Sequence, residues 1–432
     1  MPSLRRDEFL RLARREARDG LTLAIPVSIR VLADQLTPVL AYRRLVAADD
    51  RAAPSFLLES VEGGERQGRY SIMGAQPVKR LIARGEDVVI RDERTGSVLR
   101  ERVPDPLLLL RSLSASIRLV SPDEGAALPA CVLGGWFGYA SYDSVRYAEP
   151  GKLPFAGAPA DDRGLPDVEF GLYDGVVVFD HVQQMVHVVG LAFVAPQGGA
   201  IGLGDPGAAY DEVVARLEAR VKQIQVHAKP LPLGRVERPG AAPAWRSNRT
   251  REEHRAMVER ALEYIRAGDI FQVVLGQRFE MTSPADPFDV YRALRAVNPS
   301  PYMVYMQGSG CILVASSPEI LCRVRREGEA GKGQEPEAGP HQSPFVLTNR
   351  PLAGTRKRGG TPEEDAELER ELLADPKERA EHIMLVDLGR NDVGQVAEPG
   401  TVALRAIMAV ERYSHVMHIS STVTGRLRHG LD

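Results

Sequence analysis

The stretch DVEFGLYDGVVVFDHVQQMVHVV, residues 167–189, decides how the first half of this chain folds. Its apolar runs are only a few residues long and are broken by turn-forming residues, the pattern of antiparallel strands. Similar text occurs upstream in PSFLLESVEGG (54–64), RYSIMG (69–74), EDVVIRDERTGSV (86–98) and LGGWFGY (133–139). Residues 54–193 are therefore predicted to form a mainly antiparallel sheet. Within them, DPLLLLRSLSASIRL (105–119) is too densely apolar for a strand and has Pro106 at an early helical position, which predicts a helix packed on that sheet.

Beyond a Pro- and Gly-rich passage at 195–207, a helix is expected over 210–227, with Val213, Val214, Leu217, Val221 and Ile224 on one stripe. AKPLPLGRVERPGAAPAWRSN (228–248) is a Pro-rich connector and the best domain boundary. After it, Thr250 and Glu253 form a capping box for a helix ending near Gly268, with Met257, Val258, Ala261, Leu262 and Ile265 as its expected buried stripe. Strands are predicted in IFQVVLGQRFEM (270–281), PYMVYMQ (301–307), CILVASSPEILCRV (311–324), FVLTNRPLAGT (345–355), TVALRAIMAVERY (401–413) and SHVMHISSTVTGRL (414–427). Two further helices start at Thr361-Pro362 and Asp375-Pro376. The polar segment 327–344 is expected to be a mobile hairpin tip without chemistry.

Composition narrows the function. With 432 residues, 44% apolar and 26% charged, the chain has the profile of a soluble globular protein of two or three domains. A formal net charge of -3 gives no sign of a nucleic-acid or membrane-surface partner, and no apolar run approaches the ~18 residues of a membrane span. Cys131, Cys311 and Cys322 form neither a C-x-x-C pair nor a zinc-type spacing. The Arg-rich start contains Asp7, Glu8, Glu16 and Asp19, too acidic for a transit peptide, so a cytoplasmic location is expected. No P-loop, dinucleotide fingerprint, G-x-S-x-G or H-E-x-x-H occurs.

The densest group of unusual residues is RPLAGTRKRG (350–359) followed by DPKERAEHIMLVDLGRND (375–392). On a helix starting at Pro376, Glu378 and Glu381 are three apart on one side, suited to a hard cation such as Mg²⁺ or to acid–base work. Glu378 is equally placed to close a capping box behind Asp375, and Glu381 to be a solvated helix glutamate. Ala353, Gly354 and Thr355 form a turn of small residues whose N–H groups and hydroxyl can approach a carboxylate, or an ordinary tight turn. Arg356, Lys357 and Arg358 behind it read as an anion attractor or a solvated run. His415 and His418 point to opposite faces of a strand, so one faces in, as a core residue or as an acid–base group. Glu59 and Ser60 follow an apolar strand in LLES.

Taken together, FLLESVEGGERQGRYSIMG, AGDIFQVVLGQRF, NPSPYMVYM, ASSPEIL, NRPLAGTRKRG, ERAEHIMLVDLGRNDVG and ERYSHVMHISSTVTG resemble anthranilate synthase component I over residues 36–425. The resemblance implies an α+β fold, a two-domain sandwich of large, mainly antiparallel sheets flanked by helices. It implies an N-terminal helix and lead-in at 1–35, a regulatory domain at 36–195, a linking helix and connector at 196–247 and a chorismate-binding catalytic domain at 248–432. The implied activity is that of a carbon–oxygen lyase, which aminates chorismate with ammonia and eliminates pyruvate to give anthranilate for tryptophan biosynthesis. By the same resemblance, Gly354 and Thr355 contact substrate, Glu378 and His418 are catalytic, Glu381 is a Mg²⁺ ligand, and Glu59, Ser60, Pro301, Tyr302 and Met303 bind inhibitory tryptophan. The implied partner is a glutamine amidotransferase subunit, component II, that supplies ammonia within a heterotetramer.

Aminodeoxychorismate synthase, the alternative, carries a lysine where this chain has Ala353, and with seven lysines in all no substitute is evident nearby. The family's catalytic domain continues through a P-A-G-T-x-S-G-A-P-K-type segment and a second Mg²⁺ ligand that do not occur here. The expectation is an N-terminal portion with a half-built Mg²⁺ site, inactive as it stands, with a tryptophan-binding fragment as the other reading.

Overall fold

Residues 167–189 do form antiparallel strands, but they serve two sheets. The computed structural model describes all residues except 19, 48–49, 51, 63–65, 123–127, 196–200, 227–230, 232–233, 235–243, 328–342, 414 and 432. Val168–Tyr173 lies in a five-stranded antiparallel sheet with Gly135–Ala140, Lys79–Arg84, Asp87–Asp92 and Val98–Arg102. At Gly175 the chain crosses into a larger sheet. Its φ is +149°, and a Cβ there would stand 2.1 Å from the Val189 carbonyl oxygen, so no other residue fits the crossing.

The larger sheet has eight strands: β1 (Thr22–Leu32), β2 (Ser55–Glu59), β3 (Tyr70–Ala75), β4 (Ile117–Leu119), β5 (Gly175–Asp180), β6 (Met185–Val194), β7 (Tyr302–Gln307) and β8 (Ile312–Ser317). Their spatial order is β8-β7-β2-β3-β5-β6-β1-β4. Asp180 Oδ1 accepts the N–H groups of Val182 and Gln183, both at 3.0 Å, and so fixes the β5–β6 turn. Strand β1 falls in the expected lead-in, where no strand is predicted. Strands β7 and β8 follow the Pro-rich connector yet hydrogen-bond into the sheet built before it.

Helices α1 (Arg6–Glu16), α2 (Pro106–Ala115) and α3 (Pro206–Gln225) flank these sheets. As predicted, α2 packs Leu109, Leu110 and Leu113 on the five-stranded sheet, while residues 117–119 leave the helix to become β4. Helix α3 starts four residues earlier than expected because Asp205 caps it ahead of Pro206.

Two units separate by their contacts, Met1–Leu231 with Leu294–Asp432, and Pro232–Ala293. The second contains α4 (Arg251–Ala267), with the predicted Thr250–Glu253 capping box and Gly268 left-handed at φ +81°. None of the helix is buried, and Val258, Leu262 and Ile265 are exposed, contrary to the expected stripe. The periodicity specifies a helix, but burial also needs a covering surface. Of the strand expected at 270–281 only Phe279–Glu280 pairs, with Arg246–Ser247, because a strand needs a partner for its backbone groups. Helix α5 (Pro287–Val297) runs into the first unit.

A third sheet in the first unit contains β9 (Arg323–Arg326), β10 (Phe345–Asn349), β11 (Leu352–Lys357), β12 (Ala403–Arg412) and β13 (Val416–Arg426). Strand β13 is its spine, with β10 and β11 along one edge and β12 along the other. The expected hairpin tip joins β9 to β10 and, like most of the connector, lies outside the described residues. Helices α6 (Pro362–Ala374) and α7 (Pro376–Val396) cover one face. Leu372 packs with Met417 and Ile419, and Val393 with Leu347 and Val423.

Candidate functional site

The first candidate site is a bulge in β11. The register to β13 slips between Ala353 and Thr355, and Gly354 takes up the extra residue at φ +73°. A Cβ there would stand 3.2 Å from Glu378 Oε2, 3.2 Å from Leu372 and 3.3 Å from Ile419. Asp375 accounts for the approach of Glu378. Its side chain accepts the N–H groups of Lys377 (2.9 Å) and Glu378 (3.3 Å) and caps α7 without a reciprocal glutamate. Glu378 is thereby released from capping and turns toward the bulge, with Oε1 3.7 Å from Arg356 Nη1.

His418 stands across the ladder from Thr355 on one side and from Glu411 on the other. Met417 and Ile419 point into the helix-covered core, so alternation sends His418 to the opposite face. Its Nδ1 is 2.9 Å from the Gly354 carbonyl oxygen and 3.1 Å from Thr355 Oγ1. A carbonyl oxygen only accepts, so Nδ1 carries the proton and Nε2 of the neutral ring keeps the lone pair. The Tyr413 ring lies 5.7 Å away. His415, by contrast, precedes the strand, is exposed, and bonds the Val297 carbonyl at 3.0 Å.

Gly354 and Thr355 thus meet His418 on one face of the sheet, and Glu378 reaches Gly354 from the helix-covered face. Glu381, half-buried one turn further along α7, makes no hydrogen bond or ion pair among the described residues, and no three His, Cys, Asp or Glu side chains gather there as a metal site. The basic run is not free for an anion at Arg356 and Arg358. Arg356 binds Glu371 and Asp375, both at 2.8 Å, and Arg358 binds Asp365 at 2.7 Å.

The second candidate site is a cleft of about 550 Å³ in the same unit. Glu59, Ser60, Pro301 and Tyr302 line it. Met303 does not, being buried between strands at 1% exposure. The charged part of its lining also includes Glu319, Arg323, Arg325, Arg350 and Glu411. Arg323 Nη2 donates to the Tyr302 hydroxyl at 2.6 Å, and Arg350 pairs with Glu411. Burial raises the pKa of Glu319, against the opposing pull of a Leu352 N–H and of His418.

Sequence reading missed these residues, since no local pattern places 319, 350 and 411 in one cleft with residue 59. It placed His382 beside the Glu378–Glu381 stripe without a role; the residue is fully buried against Ser421 Oγ at 2.7 Å, and burial pulls its pKa down. His382 is the hydrogen-bonded core histidine, and His418 the accessible one. Among the described residues no helix is long and apolar enough to cross a membrane.

Residues 53–432 match the family of chorismate binding enzymes. The chain is 48% identical over 415 residues to anthranilate synthase alpha subunit 1, chloroplastic, of Oryza sativa subsp. indica, covering 94% of this chain and 67% of that protein. It is 41% identical over 436 residues to anthranilate synthase component 1 of Pseudomonas aeruginosa, covering 99% and 78%. The crystal structure of anthranilate synthase component I from Streptococcus pneumoniae superposes with a TM-score of 0.63 at 30% identity, over 93% of this chain and 77% of that one. The chain spans about two thirds of the length of its rice relative.

Proposed function

We propose that this chain, which belongs to the chorismate-binding enzyme family, is an anthranilate synthase large subunit that aminates chorismate with ammonia and eliminates pyruvate. The observation that carries the reading is the bulge at Gly354, where a carboxylate and a histidine of fixed tautomer converge on one turn. The Thr355 hydroxyl and the turn's backbone orient a substrate carboxylate. Nε2 of His418 takes or gives the proton that must move when ammonia adds and when the ring loses pyruvate. Glu378 shares that acid–base work from the other side of Gly354, with Oε1 3.7 Å from Arg356 Nη1.

Magnesium belongs to the same proposal. Mg²⁺ commonly takes one or two protein carboxylates and fills its shell with water and substrate oxygens, so Glu381, with both oxygens uncommitted, suits it. When bound, it would neutralise the ring carboxylate and draw electrons as the C4 hydroxyl leaves. A glutamine amidotransferase subunit as ammonia source and a cytoplasmic location complete the reading. The cleft at Glu59, Ser60, Pro301 and Tyr302 is proposed as the tryptophan feedback site.

The test is direct. The purified chain with chorismate, Mg²⁺ and ammonium should release fluorescent anthranilate, and Glu381→Ala should abolish the Mg²⁺-dependent part without unfolding. Ser60→Ala should weaken tryptophan inhibition. No anthranilate together with retained tryptophan binding would reject the catalytic reading and leave a tryptophan-binding chain.

A further inference from the structure

We propose that Arg350, Glu411 and Tyr413 are positioning residues for His418, through which an amino-acid carboxylate bound in the cleft acts on the histidine. The inference rests on reading the cleft as an amino-acid site and His418 as the proton carrier.

Arg350 and Glu411 face the cleft and pair with each other. The other oxygen of Glu411 accepts the Tyr413 hydroxyl at 2.9 Å. Tyr413 is buried at 7% exposure, and its ring meets the His418 imidazole at 5.7 Å and 61°. Glu411 is also the cross-strand neighbour of His418. Arg350 stands two residues before β11, whose Gly354 carbonyl holds His418 Nδ1. The ion pair therefore anchors both strands that flank His418.

A zwitterionic ligand in this cleft needs a cation for its carboxylate. Of the arginines lining the cleft, Arg323 donates to Tyr302 and Arg325 makes no ion pair among the described residues, whereas Arg350 pairs with Glu411 and is the one whose capture by a carboxylate reaches His418. A guanidinium grips a carboxylate through two parallel N–H···O bonds, so ligand and Glu411 compete for the same fork. When the ligand wins, Glu411 keeps only the Tyr413 hydroxyl, and the tyrosine ring shifts against His418. The coupling is reciprocal, so the geometry of His418 sets the affinity of the cleft.

The experiment follows the histidine rather than turnover. Imidazole NMR signals of the ring-labelled 432-residue chain are recorded during an L-tryptophan titration, with His418 assigned by signal loss in His418→Gln and binding measured in parallel by calorimetry. Saturation should displace the His418 signals in the wild type. In Tyr413→Phe, which keeps the ring and whose hydroxyl lies outside the cleft, affinity should fall by no more than about threefold while the His418 signals stay in place. Glu411→Gln, which keeps the shape and loses the charge, should displace them before any ligand is added. Equal displacement in Tyr413→Phe and wild type, or none in the wild type despite measured binding, overturns the relay. Absence of tryptophan binding overturns the amino-acid reading of the cleft, and the relay with it.

Discussion

Met303 stands directly across the β2–β7 ladder from Glu59. Glu59 is 6% exposed and has its carboxylate held by Arg295 Nε at 2.6 Å, by Arg295 Nη2 at 2.9 Å and by Ser71 Oγ at 3.4 Å. The ion pair ties the cleft's first wall to the end of α5. Removing the arginine takes both guanidinium contacts from a buried carboxylate. Arg295→Ala is expected to lower the unfolding free energy by about 2 kcal/mol, with Arg295→Lys recovering part of it. Urea denaturation reads the loss, and unchanged stability in the alanine variant would reject the clamp.

Gly354 carries both a left-handed backbone and a crowded Cβ position. Gly354→Ala should cost about 1–2 kcal/mol in backbone strain and push Glu378 off the bulge. Gly96, at φ +72° with open space around it, is the control. Gly96→Ala should lose comparable stability and no anthranilate formation. Equal activity in the two variants would mean that the bulge plays no part in the chemistry.

His418 is half-buried and held through Nδ1, so its removal should leave the fold intact. His418→Ala is expected to lower kcat by about 100-fold or more with an unchanged far-ultraviolet circular dichroism spectrum. Thr355→Val, which loosens the imidazole without removing it, should cost about tenfold. A wild-type kcat in His418→Ala would exclude the histidine as the proton carrier.

Acid should loosen the helices behind the site. The Arg356 guanidinium, and then the N–H of Glu378, hold Asp375 below the usual carboxylate range, and Arg358 with the Gly359 N–H does the same for Asp365. Their folded pKa values lie below the unfolded ones, so their contribution is complete above about pH 5 and is lost as pH falls through the folded values. Asp375→Asn should therefore be less stable than wild type at neutral pH and approach it near pH 3. Denaturant melts at the two pH values check this, and a constant difference between them would contradict it.

The helix caps were the most legible features. Thr250 with Glu253, Thr361 with Pro362, and Asp375 with Pro376 each act through backbone groups within three residues, and all three cap their helices as expected. The strands around the bulge, Leu352–Lys357 and Val416–Arg426, were also readable from their text. Strand β1 was not predicted, and the strand expected at 270–281 failed for want of a partner. Of the resemblance-derived site residues, Gly354, Thr355, Glu378 and His418 meet at one turn, whereas Glu381 has no partner there.

By itself, then, the sequence determined what short-range physics decides: which segments cap, alternate or turn, and where only glycine fits. Tertiary structure alone decided that β7 lies beside β2 and that the bulge sets His418 between Thr355 and Glu411. Only the same long-range pairing placed Arg350 and Glu411 in one cleft with Glu59. Propensity and capping act over a few residues. Strand partners and burial instead depend on the free energy of the whole packed chain, which brings together groups hundreds of residues apart that carry no local mark of one another.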